Sequence, residues 1–141
     1  MKRTASAHWS GTLKEGKGTL STGSGVLKDS PYGFKTRFED ASGTNPEELV
    51  GAAHAGCYSM AFSMLLGEEN FTADSIDTKA TVTLDKQDGG FAVTAVHLEM
   101  RAKIPGIKED QFRNIADKAK GGCPISKLLK ADISLDAQLE N

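Results

Sequence analysis

The sequence predicts an α+β fold built on antiparallel sheet. Three observations carry this: alternating segments before residue 40, one long apolar helical run opening at Asn45-Pro46, and two alternating segments on either side of Asp88-Gly89-Gly90 with helices and a last strand after them. At 141 residues with 38% apolar content, the chain is sized for a single domain, 1–141, with enough apolar material for a core.

Ala5, Ala7, Trp9, Gly11 and Leu13 alternate with more polar neighbours, and Gly16-Lys17-Gly18 turns the chain into a Thr/Ser-rich stretch. In GFKTRF (33–38) the side chains of Phe34, Thr36 and Phe38 fall on one strand face, which directs Arg37 away from them. Asn45 is a helix N-cap, Pro46 suits the first helical position and Glu48 completes a capping box, so a helix is predicted from there to about Leu66, stopped by Gly67. Glu48 thereby has a structural role. Glu47 has none, and its carboxylate is left over.

Residues 75–85 alternate Ile76, Thr78, Ala80, Val82 and Leu84; residues 91–104 alternate Ala92, Thr94, Val96, Leu98 and Met100; the turn between them makes a hairpin. After Pro105-Gly106, Phe112, Ile115, Ala116 and Ala119 mark a helix ended by Gly121-Gly122. A short helix opens at Cys123-Pro124 with Ile125, Leu128 and Leu129 inside, and a strand with Ile133, Leu135, Ala137 and Leu139 closes the chain. There is no repeat, linker or low-complexity segment.

The net charge of −2 offers no basic footprint, which argues against nucleic-acid and membrane-surface partners. The N-terminus lacks the apolar stretch of a signal peptide and no segment reads as a membrane span, so a soluble, cytoplasmic protein is expected. Two cysteines are too few for a secreted disulfide framework; in a reducing compartment they are thiols, either inert fillers or redox groups.

Several weaker signals are set aside. GTLKEGKG (11–18) approaches a phosphate-binding loop, but Gly18 stands where a Ser/Thr is needed and no helix follows. His54 and Cys57 share a helix face, with His97 and Cys123 elsewhere, yet lack the paired spacing of a zinc site; His54 reads as a packing residue. Met60 and Met64 read as core.

Cys57 lies on a stripe with Val50, Ala53, Ala61 and Met64, where a free cysteine often serves as a small hydrophobe. Cys123 is placed at the N-cap of a short helix with Pro124 at its first position, where unpaired N–H groups and the helix dipole lower a thiol's pKa. Local physics therefore nominates Cys123 as the more reactive sulfur, with ordinary capping as the alternative.

The segments TNPEELVGAAHAGCYSMAFS, GGCPIS, PYGFKTRFE and AHWSGTLKEGKGTLST, in order along nearly the whole chain, resemble the OsmC branch of the OsmC/Ohr family of osmotically inducible and organic hydroperoxide resistance proteins. The resemblance implies an OsmC-like fold, with antiparallel sheets packed around long central helices in an intertwined homodimer. It implies a cysteine-based peroxidase acting on organic hydroperoxides, in which Cys57 attacks, Cys123 resolves the sulfenic acid as an intramolecular disulfide, and Arg37 and Glu47 complete the site. No cofactor or metal is implied beyond an external thiol or dithiol reductant. A desolvated Cys57 needs a fixed cation, which Arg37 held by Glu47 can supply. On one straight helix Glu47 and Cys57 are separated by about 15 Å, so a site shared between two subunits is expected. The competing readings are a general thiol–disulfide oxidoreductase, disfavoured by the lack of a Cys-x-x-Cys motif, and a non-enzymatic binder of small apolar ligands.

Overall fold

The structure is a computed structural model describing all residues 1–141. It divides into two compact units, Met1–Leu49 and Val50–Asn141.

The first unit carries an antiparallel sheet of β1 (Ala5–Ser10), β2 (Lys17–Thr22) and β3 (Ser30–Tyr32), in that order. Trp9 pairs with Gly18, and Gly18 with Tyr32, across the three strands. The indole and phenol rings meet over this glycine with centroids 5.6 Å apart. A Cβ at Gly18 would come within 2.4 Å of the Tyr32 ring and 2.7 Å of Trp9, so glycine is what lets the two rings close. The glycines of the weak phosphate-loop signal thus serve a hairpin; Gly11 and Leu13 lie beyond the end of β1, and Leu13 is exposed.

The predicted strand at 33–38 is instead a short helix, α1 (Phe34–Phe38). The Thr36 hydroxyl accepts from the Gly33 N–H at 2.9 Å and donates to the Gly33 carbonyl at 3.0 Å, which closes the turn. Phe34 and Phe38 satisfy a period of two, but they are also four apart, and on a helix their rings pack at 5.0 Å. Arg37 correspondingly turns toward Phe38, its guanidinium carbon 5.3 Å from the ring centroid, rather than away from it.

Helix α2 (Pro46–Glu68) begins where the cap predicts. The Asn45 Oδ1 accepts from the Glu48 N–H at 2.8 Å, while its Nδ2 donates to the Thr36 carbonyl at 2.9 Å. The return half of the capping box differs: Glu48 accepts the Thr44 hydroxyl at 3.2 Å. Gly67 does not stop the helix, which ends at Glu68.

In the second unit α2 buries Gly51, His54, Tyr58, Phe62 and Leu66 on one face. Its other faces are apolar too, and Met60 and Met64, expected in the core, are exposed. By length and composition α2 could cross a membrane, which corrects the expectation that no segment reads as a span; a buried core helix meets the same description.

The face of α2 buried in this unit packs with the hairpin of β4 (Ser75–Gln87) and β5 (Gly90–Lys103) and with helix α3 (Glu109–Gly122). Val96, Leu98, Met100 and Ala102 are fully enclosed, as their alternation predicts, and so are Phe112 and Ala119 of α3, with Ile115 and Ala116 almost so. Helix α4 (Pro124–Leu128) follows with Leu128 exposed rather than inside, and β6 (Asp132–Leu139) completes the sheet in the order β4-β5-β6. β6 runs parallel to β5, so one pair departs from the all-antiparallel expectation. The cause is the crossover through α3 and α4, which returns the chain to the end of the sheet where β5 began.

Candidate functional site

Two clusters of chemically active side chains stand out, one in each unit. In the first, Arg37 and Glu47 form the fork their residue types favour: Nη2 and Nε both donate to Glu47 Oε1, at 2.8 and 3.0 Å, with Nε also 3.3 Å from Oε2. The neighbouring Glu48 carboxylate is engaged separately, by the Thr44 hydroxyl. The guanidinium keeps 39% of its side-chain surface, enough to meet an anion from solvent while Glu47 fixes its plane. Beside it is a concavity of about 200 Å³ walled by Trp9, Leu13, Tyr32, Phe34 and Phe38. An apolar wall next to one oriented cation suits a molecule with an organic body and a polar, charge-developing end.

In the second unit α2 presents Cys57 and the end of α3 presents Cys123, both as free thiols. Cys57 is half-buried and Cys123 fully buried. Cys123 is the N-cap of α4, with Pro124 at the first position, as the sequence predicts. No side-chain hydrogen bond of ordinary capping geometry forms there, but the Ile125 and Ser126 amides and the Ser126 hydroxyl act on the sulfur.

Those donors set the two thiols apart. Burial pushes the Cys57 thiol up, its hydrogen bond with Cys123 adds to this, and the Ile125 N–H offsets part of it. Burial opposes ionisation at Cys123 as well, yet hydrogen bonds from Cys57, from the Ser126 N–H and hydroxyl and from the Ile125 N–H outweigh it and bring the thiol below its ordinary value. Of the two sulfurs, Cys123 is therefore the one that gives up its proton more readily, with Cys57 keeping its own. This is the acidity order the helix-cap argument gives. The accessibility order is the reverse, because Cys57 alone has surface to offer a ligand.

His54, one turn before Tyr58 on α2, is fully buried, and its Nε2 lies 2.7 Å from the Ser126 hydroxyl. It packs as the sequence suggests but also extends the sulfur cluster. Ser126 is the one member that sequence reasoning passed over; its signal was its place three residues after the Cys123 cap, where a side chain returns to the helix start. His97 is elsewhere, its Nδ1 2.6 Å from the Ser134 hydroxyl across β5 and β6. No group of three or more His, Cys, Asp or Glu side chains gathers to hold a metal ion.

The OsmC-like protein family matches residues 39–138 of the chain. The chain is 59% identical to peroxiredoxin OsmC of Escherichia coli (strain K12), covering 96% of this chain and 94% of that protein. It is 27% identical to the organic hydroperoxide resistance protein OhrB of Bacillus subtilis (strain 168), over 87% of this chain and 89% of that one. Among solved structures, an OsmC-like protein of unknown function from Vibrio cholerae superposes with a TM-score of 0.76 at 17% identity, covering 97% of this chain and 99% of that one. The crystal structure of Bacillus subtilis OhrB superposes with a TM-score of 0.68 at 23% identity, covering 97% and 98%. These two establish the fold.

Proposed function

The chain belongs to the OsmC-like protein family, and from that premise we propose that it is a thiol-dependent peroxidase reducing organic hydroperoxides, acting as a homodimer and regenerated by an external thiol or dithiol. The observation that carries the chemistry is the pair of free thiols that act on each other's ionisation, one half-buried and one fully buried. Such a pair can pass between dithiol and disulfide, an exchange that needs no metal or prosthetic group.

The more accessible sulfur is the one that meets the peroxide. The proton on Cys57 moves to ionised Cys123, and the Cys57 thiolate attacks one peroxide oxygen. The O–O bond breaks, Cys57 becomes a sulfenic acid, and the departing alkoxide takes the proton held by Cys123 and leaves as an alcohol. The Cys123 thiolate so formed attacks the Cys57 sulfur; the S–O bond breaks and hydroxide leaves as water with a proton from solvent. Two reducing equivalents from the external thiol then restore both cysteines.

Arg37, fixed by Glu47, is assigned to the thiolate and to the charge developing on the alkoxide, supplied by either chain of the dimer. The aromatic concavity beside it supports an organic hydroperoxide over hydrogen peroxide. The homodimer is supported by α2, whose apolar faces extend beyond its buried one, and by Gly56, around which there is open space for a second helix to approach. A reducing cytoplasm would supply the thiols this cycle consumes.

Replacing each sulfur in turn tests the assignment. Cys57→Ser is expected to lose peroxide consumption even in a single turnover. Cys123→Ser is expected to consume about one equivalent, accumulate sulfenic acid and then overoxidise, read by a sulfenic-acid trap and intact mass. The opposite pattern would exchange the two roles.

A further inference from the structure

We propose that Ser126 and His54 hold Cys123 in its attacking form for the disulfide-forming step, Ser126 by donating its hydroxyl proton to the sulfur and His54 as a positioning residue that orients Ser126. This rests on the reading above, in which Cys123 is the resolving cysteine.

The four residues come from two places in the second unit, Cys57 and His54 from α2, and Cys123 and Ser126 from the α3–α4 corner. The His54 Nε2 is 2.7 Å from the Ser126 hydroxyl oxygen, and that hydroxyl acts on Cys123. The direction of the chain follows from the other ring nitrogen. His54 is fully buried and its Nδ1 has no hydrogen-bond partner. A proton on Nδ1 would be a buried donor with nothing to receive it, whereas an unprotonated Nδ1 leaves only a lone pair, the lesser cost. Burial also disfavours the doubly protonated ring. The single imidazole proton therefore sits on Nε2 and is donated to Ser126 Oγ. With that lone pair occupied, the serine has one proton of its own to give, and the Cys123 sulfur receives it.

A histidine present only to fill space would not need its one satisfied nitrogen to end on a reacting group. The groups favouring ionised Cys123 are hydrogen-bond donors: the Cys57 thiol, the Ile125 and Ser126 amides and the Ser126 hydroxyl. Besides Cys57, the ionisable side chain bearing on it is Tyr58 of α2, itself acted on by Asp117 of α3. Once Cys57 has become a sulfenic acid, its thiol no longer donates as before, and the serine hydroxyl becomes the side-chain donor left to keep Cys123 ionised for attack.

The test follows the second step directly. The protein is mixed with one equivalent of an alkyl hydroperoxide, and disulfide formation is timed by quench and intact mass across pH. For Ser126→Ala and His54→Leu the first equivalent is still consumed, the pH midpoint of disulfide formation moves up by about one, and the rate at neutral pH falls about threefold or more. A tenfold loss of thiolate is partly offset by the greater nucleophilicity of a less acidic thiol. Ser126→Thr, which keeps the hydroxyl, and His54→Gln, which keeps an N–H near the Nε2 position, restore both values toward wild type. An unmoved midpoint in folded Ser126→Ala overturns the proposal, as does a loss that Ser126→Thr fails to rescue. Failure of the underlying reading looks different: wild-type protein would then consume peroxide without forming a Cys57–Cys123 disulfide, and the proposal would fall with it.

Discussion

Arg37 joins two interactions that pull in compatible directions: its fork onto Glu47 fixes the plane of the guanidinium, and the guanidinium carbon lies 5.3 Å from the centroid of the Phe38 ring. Lysine would keep the charge but not the fork. Arg37→Lys is therefore expected to lower peroxidase turnover by about tenfold or more, since one well-aimed ionic hydrogen bond is worth about 1.5–3 kcal/mol. Thermal stability should barely move, because the arginine is partly exposed and such pairs contribute about 0–1 kcal/mol to folding. Steady-state kinetics and a melting curve on one preparation separate the two effects; wild-type turnover in the lysine variant would remove Arg37 from the mechanism. The partnership was legible in the sequence through the family resemblance; the cap reading by itself only left Glu47 without a structural role. Its conformation was not. Phe34 and Phe38 fit both periods, and what decides between them is the Gly33–Thr36 turn and the Asn45 amide on the Thr36 carbonyl.

Helix α3 is where pattern and structure agree most closely, because its apolar residues have a single face and that face meets one core. Phe112 sets its edge against Phe62 at 5.8 Å, and Phe62 stacks on Tyr58, whose hydroxyl donates to the Ala116 carbonyl at 3.1 Å. The same packing fixes the helix that carries Cys123 at its end. Phe112→Ala should cost about 3–5 kcal/mol by cavity formation, measured in urea. It should also slow closure of the disulfide more than the first oxidation, since Cys57 is on a different helix; equal slowing of both steps would mean that α3 does not position Cys123 separately. Pattern fails instead on α2, which is apolar all round, so periodicity selects no single face and Met60 and Met64 cannot be told from Phe62. The parallel pairing of β6 was illegible for another reason. Alternation reports which face a strand buries, while its direction depends on the length and course of the α3–α4 crossover.

At the scale of the molecule the two units differ in what they enclose. The second has a continuous core running from Tyr58 to Ala137. In the first, Gly18 is the one buried residue, and every residue of β1 is exposed. Three strands need an apolar face covered by something before they persist in water. If the other subunit of the proposed homodimer supplies that cover, order in residues 1–49 becomes a property of the assembly and varies with protein concentration. Limited proteolysis along a dilution series should therefore release N-terminal fragments first, at micromolar levels or below, while a resistant piece beginning near Val50 survives. Cleavage patterns independent of dilution would show that the first unit holds itself together. If the expected pattern appears, scarcity of the protein would silence it at the sheet beside Arg37 before either sulfur is disturbed, and the clearance machinery of the cell would meet an unravelled leader before a damaged core.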